Sequence, residues 1–513
     1  MKLIKSPAPP AYPTVTALLK GAAAGREDQL LFAEEWNGGR QATYGQWLRD
    51  LLETAGKMQQ LEAQHIGLVC DLTYSCVLCL YAVFAAGKVL VPLEADLEAE
   101  ALETCIQKAD IDLLLYPKGR IDGSITGCTA MEIPEFLSRP AAALSEWPEW
   151  EEDRDACIVF TSGTEGQPRG ALLTQRNLAA INHYIKYADP RKQTRTLLYL
   201  PIHHIFSIHT ITSCMSAGTR MHLIKGPQYL SRAMEAVRPD VLITVPLING
   251  IFHSMVQKGI AASGKAEAVA RLIRLSNFLR KLGLDLRDPL FRPLRESLGG
   301  IPQLLISGGS AAAEDTIRYF EDIGIIILQA YGMTETAGHI STNLVEQNRI
   351  GSVGQAHRFS EIRIVDSEIQ VRSRNVMKAY YKDPQATAAA FQDGWFRTGD
   401  LGYLDPDGYL FLTGRKKNLI ILGTGENVSP EELENRLLRD PAVAEVVVRE
   451  KDGRIHAEIF PELSACTEEA AAEKQIREAI DALNRKNPLY KRITSWQLRS
   501  EPFEKTSSAK IRR

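Results

Sequence analysis

No stretch of this 513-residue sequence carries the roughly 18 to 20 consecutive apolar residues that a membrane-spanning helix needs. The most apolar run, Val77 to Ala86, breaks at Gly87-Lys88 and reads as a buried helix followed by a strand from Val89 to Pro92. Lys2 and Lys5 lead into proline-rich sequence rather than the apolar core of a signal peptide, so the cytoplasm is the expected compartment. Neither sign of charge is in excess. A formal net charge of −3 gives no footprint for nucleic acid. Cysteine is sparse, eight residues scattered through the chain, which argues against a disulfide scaffold. Cys76 and Cys79 have zinc-knuckle or redox spacing, but they sit in an apolar, helical run with no second Cys/His pair nearby, so no metal is expected there. Internal repeats and long low-complexity segments are also missing.

What is present is enough sequence for two or more domains, with the 45% hydrophobic and 24% charged content of a globular protein. Strand-like runs (Gln64 to Cys70, Val89 to Pro92, Ile111 to Tyr116) alternate with helical patterns (Tyr44 to Gln60, Ser75 to Ala86, Leu97 to Ala109). That alternation predicts parallel sheets covered by helices. It resumes at Thr196 to Leu200, Asp240 to Val245, Gln303 to Ser307 and Ile325 to Gln329. From about 350 to 413 the pattern turns to short strands without helices (Glu361 to Val365, Glu368 to Arg372, Gly408 to Thr413), as in an antiparallel or barrel-like subdomain. Beyond Gly414-Arg415 come a helix start at Ser429-Pro430-Glu431-Glu432, strands at Ala444 to Glu450 and His456 to Phe460, and a helix from Glu469 to Arg485. The expected fold class is therefore α/β: a large N-terminal domain, 1–414, of doubly wound sheets plus the β-rich subdomain, and a small α+β C-terminal domain, 415–513.

Residues 158 to 170, Ile-Val-Phe-Thr-Ser-Gly-Thr-Glu-Gly-Gln-Pro-Arg-Gly, are the most informative segment. An apolar run, Cys157 to Phe160, feeds a loop of hydroxyls and glycines. Gly163, Gly166 and Gly170 let the backbone approach a ligand, and successive N–H groups in such a turn form an anion nest. Thr161, Ser162 and Thr164 add hydroxyl donors, and Arg169 a fixed positive charge suited to phosphate oxygens. A turn of this composition is otherwise only a connection, and it is not the GxxxxGK[ST] loop, because no Lys-Ser/Thr follows.

Downstream lie Tyr331-Gly332-Met333-Thr334-Glu335-Thr336, then Gly394-Trp-Phe-Arg-Thr-Gly-Asp400, then Gly414-Arg415-Lys416-Lys417, then Lys510. With the loop, and in this order, they resemble the adenylate-forming superfamily of acyl-CoA synthetases, aryl-CoA ligases, luciferases and peptide-synthetase adenylation domains. The resemblance runs from Thr43-Tyr44 to Lys510. It implies that ATP and a carboxylate react at the α-phosphorus with loss of pyrophosphate, a reaction governed by positioning and charge stabilisation. The 161–170 loop would hold the β- and γ-phosphates. Thr334 would donate to the α-phosphate and Glu335 would bind Mg²⁺. Adenine would lie between Gly308-Gly309-Ser310 and Gln329-Ala330-Tyr331-Gly332, with Tyr331 stacked on the base or, alternatively, part of the core. Asp400 would accept from the ribose hydroxyls, with Arg415 meeting the sugar or phosphate.

The same resemblance makes His204, in Leu200-Pro201-Ile-His203-His204-Ile-Phe206-Ser207, a neutral imidazole that contacts the carboxylate, with His203 and Phe206 beside the acyl channel. Lys510 would bridge carboxylate and α-phosphate. The small domain, mobile about a hinge near Lys417, would withdraw it so that a thiol enters past Gly425. Arg169, Ser207 and Ala509 stand where the family usually has Lys, Gly and Gly.

The segment from His203 to Ser213 has no acidic residue to pair with a substrate ammonium, so an uncharged acyl or aryl tail is expected. Gly414 to Ile421, Gly425 to Pro430 and a helical insert from Lys258 to Gly299 resemble medium- and long-chain fatty acyl-CoA ligases. The expected partners are a carboxylic acid and coenzyme A, with a carrier-protein phosphopantetheine as the alternative acceptor. An aryl-acid ligase and a non-catalytic nucleotide-binding protein are the other readings. The insert carries Lys258, Lys265, Arg271, Arg274, Arg280, Lys281, Arg287, Arg292 and Arg295 among Leu and Ile. It reads as a packed helix pair with a basic face, or as a peripheral membrane contact.

Overall fold

The computed structural model describes residues 12–34, 39–121, 125–140, 144, 146–161, 168–180, 193–297, 299–422, 426–451, 453–462, 469–505 and 511. A seven-stranded sheet organises the first part. Its order is Ala379–Tyr380, Arg169–Thr174, Asp155–Thr161, Val89–Leu93, His65–Val69, Leu113–Tyr116 and Thr129–Glu132. The strands from Asp155–Thr161 to Thr129–Glu132 are parallel neighbours, as the alternation of strand and helix patterns predicts. The sheet is nevertheless mixed. Arg169–Thr174 returns antiparallel to Asp155–Thr161 because only a short loop joins them, and a parallel return would need a crossover of a dozen residues.

The Tyr74–Ala85 helix behind this sheet is capped by Thr73, whose hydroxyl accepts from the Cys76 N–H at 3.3 Å. All its residues but Ser75 are buried, Cys76 and Cys79 among them, and burial holds the Cys79 thiol well above its ordinary value. The Tyr44–Gln59 helix opens with a capping box between Thr43 and Gln46.

A second sheet runs Leu242–Thr244, Leu304–Ser307, Ile326–Tyr331, Ser341–Thr342 and Gln355–Ala356, the first three parallel and the rest antiparallel. Outside it pack Pro246–Ala262, Ala266–Lys281, Arg287–Ser297 and Glu314–Asp322, so the insert forms helices, as its pattern suggests. A third sheet joins segments far apart in the chain: Gln41–Thr43, Leu30–Ala33, Arg220–Leu223 and Arg195–Leu198. The β-rich stretch is an antiparallel sheet of Ser360–Val365, Glu368–Ser373, Trp395–Leu404 and Phe391–Gln392, with Leu410–Arg415 also paired to Trp395–Leu404.

After residue 418 a separate apolar cluster, from Ile420 and Leu433 to Ile480 and Ile493, joins the strands Val443–Lys451, Arg454–Pro461 and Ile493–Leu498 to the helices Pro430–Leu437 and Glu469–Lys486. No helix of the described residues is long and apolar enough to cross a membrane.

Candidate active site

Three structural elements converge at the end of the Ile326–Tyr331 strand. The first is the strand itself, with the turn that follows it. Gly332 is tightly enclosed, since a Cβ there would lie 2.3 Å from the Gly338 carbonyl oxygen, a backbone atom that could give way only with the turn itself. Thr334–Thr336 forms one short turn, closed by the Thr336 hydroxyl, which accepts from the Met333 N–H at 3.1 Å. Asn375 fixes the turn from outside by donating to the carbonyls of Thr336 and His339. Thr334 and Glu335 are thus set on a rigid, doubly anchored loop.

The second element is the Asp155–Thr161/Arg169–Thr174 hairpin. Thr161 faces Arg169 across it, and the Thr161 hydroxyl donates to the Arg169 carbonyl at 3.3 Å. Arg169 lies 3.6 Å from Asp383 and 5.9 Å from the centre of the Tyr380 ring. Tyr380 in turn donates its hydroxyl to Glu335 Oε1 at 2.9 Å, which ties the hairpin to the turn. Glu335 is buried, and loss of solvent pushes its carboxyl above the ordinary carboxylate value despite the Tyr380 hydrogen bond.

The third element is the Trp395–Leu404/Leu410–Arg415 pair. Asp400 and Arg415 are register partners, with Arg415 Nε 2.9 Å from Asp400 Oδ1. Tyr331 donates to the other oxygen, Oδ2, at 2.7 Å. Tyr331 is buried in an apolar cluster with Ile340, Val353, Ile369, Val371 and Leu410. Burial, followed by the charge of Asp400, drives its phenol well above the ordinary value.

The Gly308-Gly309-Ser310 loop lies next to the same strand, since Ser307 is the register partner of Gln329. Gln329 spends its side chain on main chain, accepting from the Ala312 N–H and donating to the Ser352 carbonyl, both at 3.1 Å. It positions the loop. Gly309 holds φ = +88°, a left-handed conformation natural to glycine, and a Cβ on Gly308 would lie 2.7 Å from Phe206. Phe206 therefore closes over the loop from the Ile205–Ala217 helix, at whose start His203 and His204 lie with ring centres 4.1 Å apart and their planes tilted by 48°. Burial, and then His204, lowers His203 to about 3, so it is a neutral imidazole at any physiological pH. His203 Nε2 is buried and finds no hydrogen-bond partner among the described residues.

Ser162, Gly163, Thr164, Gly166, Gly425 and Lys510 lie outside the described residues. The chain is anchored just before the last of them. Lys505 pairs with Glu445 at 2.5 Å, and the Phe503 N–H donates to the same carboxylate. Near Lys417, Lys416 and Arg397 share the Glu368 carboxylate at 3.0 Å each, and Ser429 donates to the Thr413 carbonyl at 2.8 Å. Tyr380, Glu368 and Asn375 are positioning residues that sequence reasoning missed. Each acts through a partner distant in the chain, and no local motif marks them.

Comparison with known proteins gives the family. A model described as AMP-binding enzyme matches residues 19–381, and one described as AMP-binding enzyme C-terminal domain matches 417–513. The long-chain-fatty-acid–CoA ligase FadD15 of Mycobacterium bovis is 29% identical over 409 residues, 72% of this chain and 68% of the relative. The chloroplastic long-chain-fatty-acid–[acyl-carrier-protein] ligase AEE15 of Arabidopsis thaliana is 29% identical over 368 residues, 59% of this chain and 50% of the relative. The fold recurs in the anthranilate CoA ligase AuaEII, solved with anthranoyl-AMP (TM-score 0.78, 19% identity, 98% of this chain and 96% of that one). It recurs also in o-succinylbenzoate CoA synthetase from Bacillus subtilis (TM-score 0.74, 22% identity, 96% of each). With the first model covering most of the sequence and the second the remainder beyond residue 416, the chain belongs to the AMP-binding enzyme family.

Proposed function

We propose that this enzyme activates a carboxylic acid with ATP and passes the acyl group to the thiol of coenzyme A. A carboxylate oxygen bonds to the α-phosphorus as the bond to the bridging oxygen breaks, and pyrophosphate leaves. The thiol sulfur then bonds to the acyl carbon, AMP departs with the bonding electrons, and the thiol proton passes to solvent. One observation supports the reading most. Asp400, Glu335 and Arg169, three residues spread over some 230 positions, are joined to one turn through Tyr331 and Tyr380.

In this reading Arg169 and the loop before it, with Thr161, Ser162, Gly163, Thr164 and Gly166, hold the β- and γ-phosphates, Thr334 donates to the α-phosphate, and Asp400 takes the ribose hydroxyls. His204 orients the carboxylate, and Lys510 neutralises charge on the phosphoryl oxygens. Mg²⁺ suits Glu335, a carboxylate destabilised by burial, and when bound would neutralise phosphate charge beside it. We place the hinge near Lys417, with 415–513 as a mobile cap. Gly425 then lines the thiol path. A carrier-protein phosphopantetheine would present the same thiol, and the name of the Arabidopsis relative supports keeping it as the alternative acceptor.

ATP–pyrophosphate exchange over a panel of carboxylic acids tests the first half-reaction. Thioester formation with coenzyme A or with holo carrier protein tests the second. Exchange with no acid, fatty or aryl, would refute the assignment.

A further inference from the structure

The turn from Arg485 to Arg492 takes no part in either half-reaction, yet it is held rigidly. Asn484, in the last turn of the Glu469–Lys486 helix, donates to the Ile493 carbonyl and accepts from the Ile493 N–H, both at 2.9 Å. Arg492 donates to the Asn487 carbonyl at 3.2 Å, and Arg436 donates to the Asn487 side chain at 2.9 Å. Lys491 pairs with Glu432 in the first turn of the Pro430–Leu437 helix. Just before that helix, Ser429 donates to the Thr413 carbonyl of the Leu410–Arg415 strand, whose Arg415 pairs with Asp400. The turn therefore stands one helix away from the proposed ribose site.

What it presents is apolar and basic. Leu489 is 77% exposed, the highest value for a large apolar side chain among the described residues, and Tyr490 beside it is 43% exposed. Strand pairing gathers cations around them. Ile493 is the partner of Ile455 on the parallel strand, so Arg454 falls beside Arg492, and Lys451 is the partner of Arg454 on the next strand. Arg485 and Lys486 end the helix that leads into the turn. Like charges directly opposite destabilise a strand pair, yet Lys451 faces Arg454 and neither has a carboxylate partner among the described residues. Glu450 beside them accepts from the Gly453 N–H instead.

We infer that this end of the cap docks an acidic acyl carrier protein, whose phosphopantetheine supplies the thiol of the second half-reaction. Its sulfur bonds to the acyl carbon as AMP leaves with the bonding electrons, and the thiol proton passes to solvent. The inference rests on the acyl-transfer function proposed above and gives its alternative acceptor a docking surface. A carrier binds and leaves at each turnover, which suits a small patch with one apolar anchor among cations, where charge speeds the encounter and little area slows release. The turn is ordered before a partner arrives, so docking does not have to order it. Coenzyme A would engage the cations and leave Leu489 in water, whereas an acidic helix with an apolar stripe covers both. The patch also leaves the tail that bears Lys510 uncovered. Lys505 pairs with Glu445 near the start of the strand that Lys451 ends, roughly 20 Å away at about 3.4 Å per residue.

The test uses the full chain and three probes: an acidic holo acyl carrier protein of bacterial fatty-acid synthesis, its apo form carrying a fluorophore, and coenzyme A. The holo carrier should be acylated, with a kcat/KM that falls as salt is raised. Leu489→Asp, and separately Lys451→Glu with Arg454→Glu, should each lower kcat/KM for the carrier at least about tenfold and weaken binding of the apo form, read by anisotropy, to the same degree. ATP–pyrophosphate exchange and acylation of coenzyme A should stay near the parent values, which a folding defect would not allow, and Leu489→Met should keep carrier activity. Equal losses for carrier and coenzyme A, carrier kinetics unmoved by both variants, or coenzyme A as the sole acceptor would overturn the inference. Sedimentation with anionic phosphatidylglycerol vesicles that Leu489→Asp abolishes would also overturn it, by assigning the patch to lipid. If no acid supports exchange, the proposed function fails separately and anisotropy decides the docking. Salt-sensitive binding lost in both variants then sustains the inference, and no binding, or binding indifferent to them, overturns it.

Discussion

Arg415 and Asp400 are paired across neighbouring strands, guanidinium to carboxylate at 2.9 Å, while Tyr331 holds the second carboxylate oxygen. A buried carboxylate fixed by two donors is already oriented, and in the proposed function it would present a rigid acceptor to a nucleotide sugar. Asp400→Asn should keep the Tyr331 hydrogen bond and lose the charge. Hydrogen bonds to charged groups contribute about 1.5 to 3 kcal/mol, so the apparent ATP affinity should weaken roughly 10- to 100-fold. Exchange kinetics at varied ATP check this, and an unchanged KM for ATP would remove Asp400 from the nucleotide site.

Much of this site is legible in the sequence because its motifs are local. Tyr331 to Thr336 and Trp395 to Asp400 each occupy one turn or one strand, and glycine marks the close approach at Gly332. What is not legible is the connection between them. The Tyr380–Glu335 and Tyr331–Asp400 bonds join residues 45 and 69 positions apart, and only tertiary packing brings them together. The mixed sheet is a similar case. Alternating strands and helices imply parallel pairing, and the antiparallel returns follow from short loops that leave no periodic trace.

Glu335 gives a pH-dependent expectation. Its folded value is raised by burial, so ionisation costs stability as pH rises from the ordinary carboxylate value through the raised one. At lower pH both folded and unfolded forms are protonated and the cost disappears. Glu335→Gln, which can still accept from Tyr380, should therefore raise Tm at pH 7 and lose this advantage near pH 4, while depressing magnesium-dependent exchange. Thermal melts at the two pH values with parallel exchange assays check both effects. A lower Tm at pH 7 would contradict the account of burial.

At Gly332 the constraint is steric. A methyl group 2.3 Å from a backbone carbonyl oxygen forces the Thr334–Thr336 turn to shift, at a cost of about 1 to 3 kcal/mol. Gly332→Ala should lower Tm and depress exchange more than the Tm loss alone explains, because Thr334 and Glu335 move with the turn. Equal activity at a temperature where both proteins are folded would show that the turn tolerates displacement.

The half-reactions separate the role of Lys510. Lys510→Ala should reduce acyl adenylate formation by about 100-fold, the scale at which one electrostatic donor contributes to a transition state. Thioester formation from supplied acyl adenylate should persist near the parent rate. Equal losses in both steps would refute the division of labour between two positions of the cap.

The helical insert leads to an expectation about membranes. Leu275, Phe278 and Leu282, at 50%, 58% and 64% exposure, follow one another at helical spacing along and just beyond Ala266–Lys281, and Leu284 (55%) continues the exposed run. Residues 258 to 299 hold nine basic and four acidic side chains in a chain of net charge −3, and Arg271, Arg280, Arg287, Arg292 and Arg295 are paired with carboxylates, so the basic excess beside the apolar row comes chiefly from Lys258, Lys265, Arg274 and Lys281. Apolar side chains framed by Lys and Arg suit an anionic lipid surface, where each basic residue contributes about 1 kcal/mol. The protein should therefore sediment with anionic vesicles, less so with neutral ones, and lose binding in high salt. Phe278→Glu with Leu282→Glu should abolish sedimentation while leaving exchange with a water-soluble acid unchanged, since neither residue belongs to the elements that carry Asp400 and Glu335. Sedimentation equal on neutral and anionic vesicles, or retained by the double variant, would show that this face does not bind lipid by charge and apolar contact together.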